Sequence, residues 1–126
     1  MSDADKVNIL VVDDLPEKIL VLESILEELG ENVVAARSGE QALGRVLEHE
    51  FAVILLDINM PGMDGYDTMQ AIRKTGKFRD LPIIAVTAKA MKGDREKTLQ
   101  AGAWDYLAKP VDTEQMLAVL RAWLHR

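Results

Sequence analysis

Apolar and polar positions follow two different periods along this chain, and the switches between them mark out its elements. Five short apolar runs rich in β-branched residues, at 7–12, 32–36, 51–56, 82–86 and 104–108, read as strands. They are mostly continuous rather than alternating, as expected of strands covered on both faces. Between them the spacing turns helical. Ile19, Leu22, Ile25, Leu26 and Leu29 share one face, with Pro16 near the start and Gly30 as the stop. Ser38-Gly39-Glu40-Gln41 is a capping-box pattern ahead of Ala42, Leu43, Val46 and Leu47, which are expected to be buried. Asp64-Gly65 precedes a third helix with Met69 and Ile72 facing inward. Residues 90–101 give a weaker fourth helix, since Gly93-Asp94 interrupts its first turn. Asp112 caps the last helix, whose stripe is Met116, Leu117, Leu120 and Leu124. Strict alternation of strand and helix predicts an α/β fold, a doubly wound parallel sheet with helices on both faces. Residues 74–81 form the longest irregular stretch, a surface connection.

Composition narrows the class. At 126 residues, 48% hydrophobic and 29% charged, the chain suits one soluble domain over 7–126 behind a polar arm at 1–6. No apolar stretch approaches the roughly 20 residues of a membrane helix, and the polar start is no signal peptide. Cysteine is absent, which excludes disulfides and thiolate sites and fits a cytoplasmic location. The net charge of −6 argues against direct binding to nucleic acid. Residues 73–97 nonetheless carry eight basic against three acidic side chains, a local +5 that leaves −11 elsewhere. That segment reads as a solvated helix face or as a binding patch.

The chemistry gathers where the strands end. In an open doubly wound sheet, sites form outside the carboxyl ends of the strands, where strand order reverses. Asp13 and Asp14 end the first apolar run, Asp57 the third, Thr87 the fourth and Lys109 the fifth. Each carboxylate pair about 4 Å apart costs on the order of 4 kcal/mol at an effective dielectric near 20. One lysine cannot offset three acids, so a divalent cation is the natural remedy. All-oxygen ligands without His or Cys favour Mg²⁺, with Mn²⁺ as a substitute.

Four motifs carry a resemblance that runs from the first strand to the last: Val11-Val12-Asp13-Asp14, residues 56–65 (LDINMPGMDG), Val86-Thr87-Ala88 and Asp105-Tyr106-Leu107-Ala108-Lys109-Pro110. In these the chain resembles the receiver domains of two-component response regulators. It is similar to the single-domain chemotaxis regulator and to receiver modules of hybrid histidine kinases. The resemblance implies a flavodoxin-like (βα)5 fold with a five-stranded sheet in the order 2-1-3-4-5. It implies that Asp57 takes a phosphoryl group from a phosphohistidine on a kinase or phosphotransfer domain. Asp14, Asp57 and the backbone carbonyl of Asn59 would ligate Mg²⁺, with Asp13 acting through a bound water. Lys109 would pair with the phosphoryl oxygens, Thr87 would donate its hydroxyl to them, and Tyr106 would swing inward. Pro110 would follow a cis peptide bond that aims Lys109. Asn59, Ala88 and Lys89 would tune the lifetime of the aspartyl phosphate. The family's role is signalling rather than metabolic catalysis, with self-catalysed phosphotransfer and slow autodephosphorylation. Output would leave through the face of the fourth helix, fifth strand and fifth helix, where Lys92, Arg95 and Trp104 are candidate partner contacts. With no output domain after His125-Arg126, the signal is expected to leave through a surface toward a downstream protein, whether the chain is a free-standing regulator or a module of a hybrid kinase, and as a monomer or a phosphorylation-linked dimer.

Plainer readings stand beside these. Asp13 and Asp14 alone could be turn acids, Thr87 an ordinary strand residue, and Tyr106 a core aromatic. Trp104 suits local packing as well as a partner contact, Trp123 suits packing, and His49 and His125 are expected on the surface. An aspartate-nucleophile phosphohydrolase of the haloacid-dehalogenase kind wants an acid about two residues after its nucleophile, where this chain has Asn59. A flavin or nucleotide binder wants glycines and hydroxyls after the first strand, where Asp13-Asp14-Leu15-Pro16-Glu17 would repel phosphate. A pseudo-receiver that signals by protein contact alone is the remaining alternative.

Overall fold

The computed structural model describes residues 6–76, 78–88 and 92–125, of which 92–94 in their backbone alone. Its elements alternate without exception: β1 (Asn8–Val12), α1 (Pro16–Leu26), a 3₁₀ turn (Glu27–Leu29), β2 (Asn32–Ala36), α2 (Gly39–Glu48), β3 (Val53–Asp57), α3 (Gly65–Lys74), β4 (Ile83–Thr87), α4 (Lys92–Ala101), β5 (Asp105–Ala108) and α5 (Thr113–Leu124). The five strands are all parallel and lie in the order β2-β1-β3-β4-β5. This is the expected doubly wound architecture. Asp57 and Thr87 belong to the last rungs of β3 and β4, one residue further into the sheet than their apolar runs suggest.

The pleat sorts the strand residues into two cores. Leu10, Val12, Ile54, Leu56, Ile83 and Ala85 face α2 and α3, packing with Ala42, Val46, Met69 and Ile72. Ile9, Val11, Val53, Leu55, Ile84 and Leu107 face the other way, with Leu26 of α1 and Met116, Leu117 and Leu120 of α5. Both layers are essentially solvent-free, which accounts for the continuous apolar runs in the sequence.

Local chemistry sets the helix ends. The Ser38 side chain accepts from Gln41 N–H at 3.1 Å, while Gln41 Oε1 reaches back to Arg37 N–H at 2.8 Å, one residue before the position a capping box would use. Asp64 and Asp112 cap α3 and α5 through the N–H groups of Asp67 and Gln115. α1 has no side-chain cap and starts on Pro16, and Gly30 ends its 3₁₀ extension with φ of 70°.

Two expectations are corrected. Leu47 is 65% exposed, because Ala42 and Val46 stack a turn apart against the sheet while Leu47 lies about 100° further round, past the edge of the stripe. The backbone of α4 is helical through Gly93 and Asp94, which do not interrupt it; the roughly 1 kcal/mol that glycine costs is too small to break the turn. The expected helical residues 90–91 and arm residues 1–5 lie outside the described residues. Among the described residues no helix is long and apolar enough to cross a membrane.

Candidate functional site

Strand direction and pleat together decide which side chains meet. Parallel strands put every carboxyl end on one edge of the sheet, and β1 and β3 are neighbours there. Asp13 follows Ile9 and Val11 in the alternation, and Asp57 follows Val53 and Leu55, so both sit on the side of α1 and α5. Lys109 follows Leu107 and shares that side. Backbone bonds carry the ladder past the strand ends: Asp13 N–H donates to Ala36 O at 3.1 Å, Ile58 N–H to Val86 O at 2.9 Å, and Lys109 N–H to Thr87 O at 2.8 Å.

The result is a compact acidic cluster. One oxygen from each of Asp13, Asp14 and Asp57 lies within 4.8 Å of the others. Asp13 and Asp57 are only 4% and 3% exposed. The Lys109 ammonium donates to Asp57 Oδ1 at 2.8 Å, and Asn59 N–H donates to the same oxygen at 2.9 Å. These two donors fix the orientation of the Asp57 carboxylate. Asp13 Oδ1 accepts from Leu15 N–H at 3.0 Å. Burial pushes the Asp13 carboxyl above the usual range; the Leu15 N–H pulls it back, and the nearby Asp57 charge adds to the rise. A like-charged, half-dry group of hard oxygen donors with no His or Cys fits Mg²⁺. A cleft of about 620 Å³ opens from Asp13, Asp57 and Lys109 between α1 and α5, walled by Val21, Leu22, Ile25, Val111 and Met116.

The remaining candidates are placed as follows. Thr87 is 2% exposed at the end of β4 and follows Ile83 and Ala85, on the side of α3 and α4. Tyr106 takes that same side, partly buried, with the Arg95 guanidinium 5.9 Å from its ring centroid. Asn59 is exposed, and its Oδ1 accepts from the N–H of exposed Ala88 at 3.0 Å, tying the loop after β3 to the loop after β4. The Lys109–Pro110 peptide is cis, as the resemblance implied. Lys89 lies outside the described residues, and Lys92 is described in its backbone alone.

Trp104 enters β5 at the opposite edge of the sheet and is occupied by local packing. Its ring lies 5.4 Å from that of Trp123, and the Arg73 guanidinium stands 5.9 Å from it. The Trp123 indole N–H donates to Asp105 Oδ2 at 3.3 Å. His49 and His125 are exposed.

Charge counting missed what Arg73 does. Its guanidinium donates to Gly102 O at 2.6 and 3.2 Å, to Phe78 O at 2.5 Å and to Leu81 O at 2.8 Å, joining α3 to the connection before β4 and to the end of α4. Burial lowers its pKa from the ordinary arginine value. Helical spacing held the signal, since Arg73 is four residues after Met69 and next to Ile72, on the core side of α3. Gly65 was also undervalued. A Cβ there would stand 2.5 Å from Ile58 Cα and 2.8 Å from Asp57 O, so α3 starts in backbone contact with the Asp57 loop.

Comparison with known proteins agrees with this arrangement. The family model "Response regulator receiver domain" matches residues 9–121. Sensor protein GacS of Pseudomonas syringae pv. syringae is 40% identical over 118 residues, covering 91% of this chain and 13% of GacS. Transcriptional regulatory protein CpxR of Escherichia coli K12 is 42% identical over 118 residues, covering 94% of this chain and 49% of CpxR. The chain thus spans a small part of the sensor kinase and about half of the regulator. Among solved structures, the receiver domain of sensor histidine kinase PA1611 from Pseudomonas aeruginosa PAO1 superposes with a TM-score of 0.87 at 39% identity, covering 96% of this chain and 99% of that one. That structure holds a magnesium ion coordinated in its active site cleft. With its parallel sheet, its acidic edge and a family match over most of its length, the chain belongs to the response regulator receiver domain family.

Proposed function

We propose that the chain is a phosphoacceptor switch, taking a phosphoryl group from a phosphohistidine of a histidine kinase or phosphotransfer domain onto Asp57. The observation that carries this reading is the 2.8 Å contact between Lys109 Nζ and Asp57 Oδ1 inside a cluster of three carboxylates. A carboxylate oxygen of Asp57 attacks phosphorus, the phosphorus–imidazole nitrogen bond breaks, and an aspartyl phosphate forms as the histidine is released. Phosphoryl transfer of this kind needs positioning and charge neutralisation more than covalent assistance. Lys109 supplies a cation already in contact with the nucleophile, and Asn59 N–H holds the carboxylate in place. Asp13, Asp14 and Asp57, with the backbone carbonyl of Asn59, would hold Mg²⁺, which when bound neutralises charge on the transferring group.

The site is suited to storing the group rather than turning it over. Asn59 offers an amide, which has no acidic proton for a leaving group, and its oxygen is engaged by Ala88 N–H. Asn59 and Ala88 stand at the loops beside Asp57, and these two residues, together with Lys89, would set how fast water removes the phosphoryl group. Phosphorylation adds negative charge and acceptor oxygens. Thr87 donates its hydroxyl to them, and Tyr106 follows inward, changing the α4-β5-α5 face. Arg95, which now stands over the Tyr106 ring, shifts with it and alters the surface offered to a partner.

Intact-mass spectrometry after incubation with acetyl phosphate or phosphoramidate and Mg²⁺ tests the reading. A single phosphoryl adduct that Asp57→Asn removes is expected. No adduct in the unaltered chain would leave a protein-binding pseudo-receiver, and rapid turnover of many donor equivalents would point to a phosphohydrolase.

A further inference from the structure

We propose that Tyr66 is a positioning residue that holds α4 in the conformation described above, giving Asp57 a route to α4 separate from Thr87 and Tyr106. The inference rests on the phosphoacceptor reading and adds to it a residue in a different element.

α4 is weakly anchored by apolar contact. Its one large apolar side chain, Leu99, is 37% exposed, and between residues 95 and 101 only Thr98 is fully buried. Helices with so little buried apolar surface are the ones that local polar contacts can release. Tyr66, from the first turn of α3, supplies two such contacts. Its hydroxyl lies 3.2 Å from Thr98 Oγ1, and the Lys97 ammonium stands 4.7 Å from its ring centroid. The phenol thereby grips two successive residues of α4, on the flank opposite the Arg95–Tyr106 contact.

The other end of this connection reaches the phosphoacceptor. Gly65 N–H donates to Ile58 O at 3.1 Å, and the Gly65 Cα lies so close to Ile58 and Asp57 O that even a methyl group has no room. Backbone packed on backbone does not yield as a flexible side chain does. A shift of the Asp57-Ile58 segment therefore moves the start of α3, and Tyr66 is the next residue. The hydroxyl contact is present in the unphosphorylated chain, so removing it favours whatever conformer lacks it.

The test uses the full chain with Mg²⁺ and phosphoramidate, following adduct formation in time. If the α4-displaced conformer accepts phosphoryl groups faster, Tyr66→Phe raises the initial rate by about fivefold, the population shift from one ordinary hydrogen bond. Thr98→Val gives a similar gain, Thr98→Ser keeps the original rate, and the Tyr66→Phe/Thr98→Val double variant is no faster than either single one. Hydrogen exchange at α4 amides rises in Tyr66→Phe while the strand amides stay protected. Unchanged or slower phosphorylation in Tyr66→Phe, with unchanged exchange at α4, overturns the proposal. A chain that takes no phosphoryl group at all defeats the phosphoacceptor reading instead, and exchange at α4 then still decides whether Tyr66 holds the helix.

Discussion

Replacing Asp13 with Asn tests the acidic site sharply, because it removes one charge and almost nothing else. The amide oxygen can still accept the Leu15 N–H that Asp13 Oδ1 holds at 3.0 Å, and the side-chain shape is kept. The three carboxylates lie within 4.8 Å of one another. At that separation each like-charged pair costs about 3.5 kcal/mol at an effective dielectric near 20. Asp13 takes part in two of the three pairs, and attraction to the Lys18 and Lys109 ammoniums opposes them. Those ammoniums, and solvent at the partly exposed Asp14, cancel most of the repulsion and leave about 2 kcal/mol. Metal-free Asp13→Asn should therefore melt about 8 °C above the parent at pH 7. The pH dependence has a definite sign. Burial, first, and then the Asp57 charge raise the Asp13 carboxyl, so the folded state is penalised above that raised pKa and relieved as pH falls through it. The gap between parent and variant closes on acidification from neutral pH through the folded pKa of Asp13. Saturating Mg²⁺ reverses the comparison, because the parent binds the cation more tightly and gains more stability from it. Circular-dichroism melts in EDTA and in Mg²⁺, at pH 7 and at a mildly acidic pH, read all three effects. Equal or lower melting of the variant in EDTA, or an undiminished Mg²⁺ increment, would refute the electrostatic account of this site.

Other substitutions probe the frame around it. Arg73→Ala strips donors from Gly102, Phe78 and Leu81 carbonyls and should cost about 3 kcal/mol in urea unfolding, or about 12 °C in melting temperature. Arg73→Lys should recover only part of this, because an ammonium cannot reproduce the fork. Gly65→Ala should cost about 2 kcal/mol by forcing α3 away from Ile58 and Asp57, and should slow adduct formation at Asp57 as well. Asp112→Ala removes the α5 cap and should cost about 1 kcal/mol in the same assay while leaving phosphorylation unchanged.

The sequence made the fold legible because its strands are buried on both faces and its helices begin on residues that cap them. Runs such as Ile54-Leu55-Leu56 leave no exposed face, and Asp64, Ser38 and Asp112 each end up holding the backbone N–H their positions suggest. The acidic cluster was legible for a topological reason: parallel strands bring all their carboxyl ends to one edge. What sequence could not resolve was distance across elements. Helical period alone puts Leu47 near the stripe, yet how wide a stripe of α2 is covered, which no local pattern records, leaves it in solvent. Arg73 and Lys74 are alike in a charge count, but only Arg73 lies on the core side of α3, where three carbonyls converge. Gly65 reads as a cap-adjacent glycine, whereas its reason for being glycine is the backbone of Ile58. Trp104 could face a partner or a neighbour, and the neighbour, Trp123, is contributed by another element.

The pleat divides the labour of this domain. Asp13, Asp57 and Lys109 alternate with Val11, Leu55 and Leu107, on the side of α1 and α5, where the cleft opens. Thr87 follows Ala85 on the other side, and Tyr106, pointing away from its neighbour Leu107, shares that side, so both face α3 and α4. In the proposed mechanism the chemistry happens on one side of the sheet and is read on the other. At the carboxyl edge no further rung separates the layers, so a signal can cross there, and among the described residues two devices stand at that edge. One is a side chain: Thr87, at the end of β4. The other is the chain itself, from Asp57 through Ile58 and Gly65 to Tyr66. A domain built with both can couple Asp57 to α4 even when one is weakened, so loss of the Thr87 hydroxyl should blunt the switch without abolishing it as long as Tyr66 and Thr98 remain.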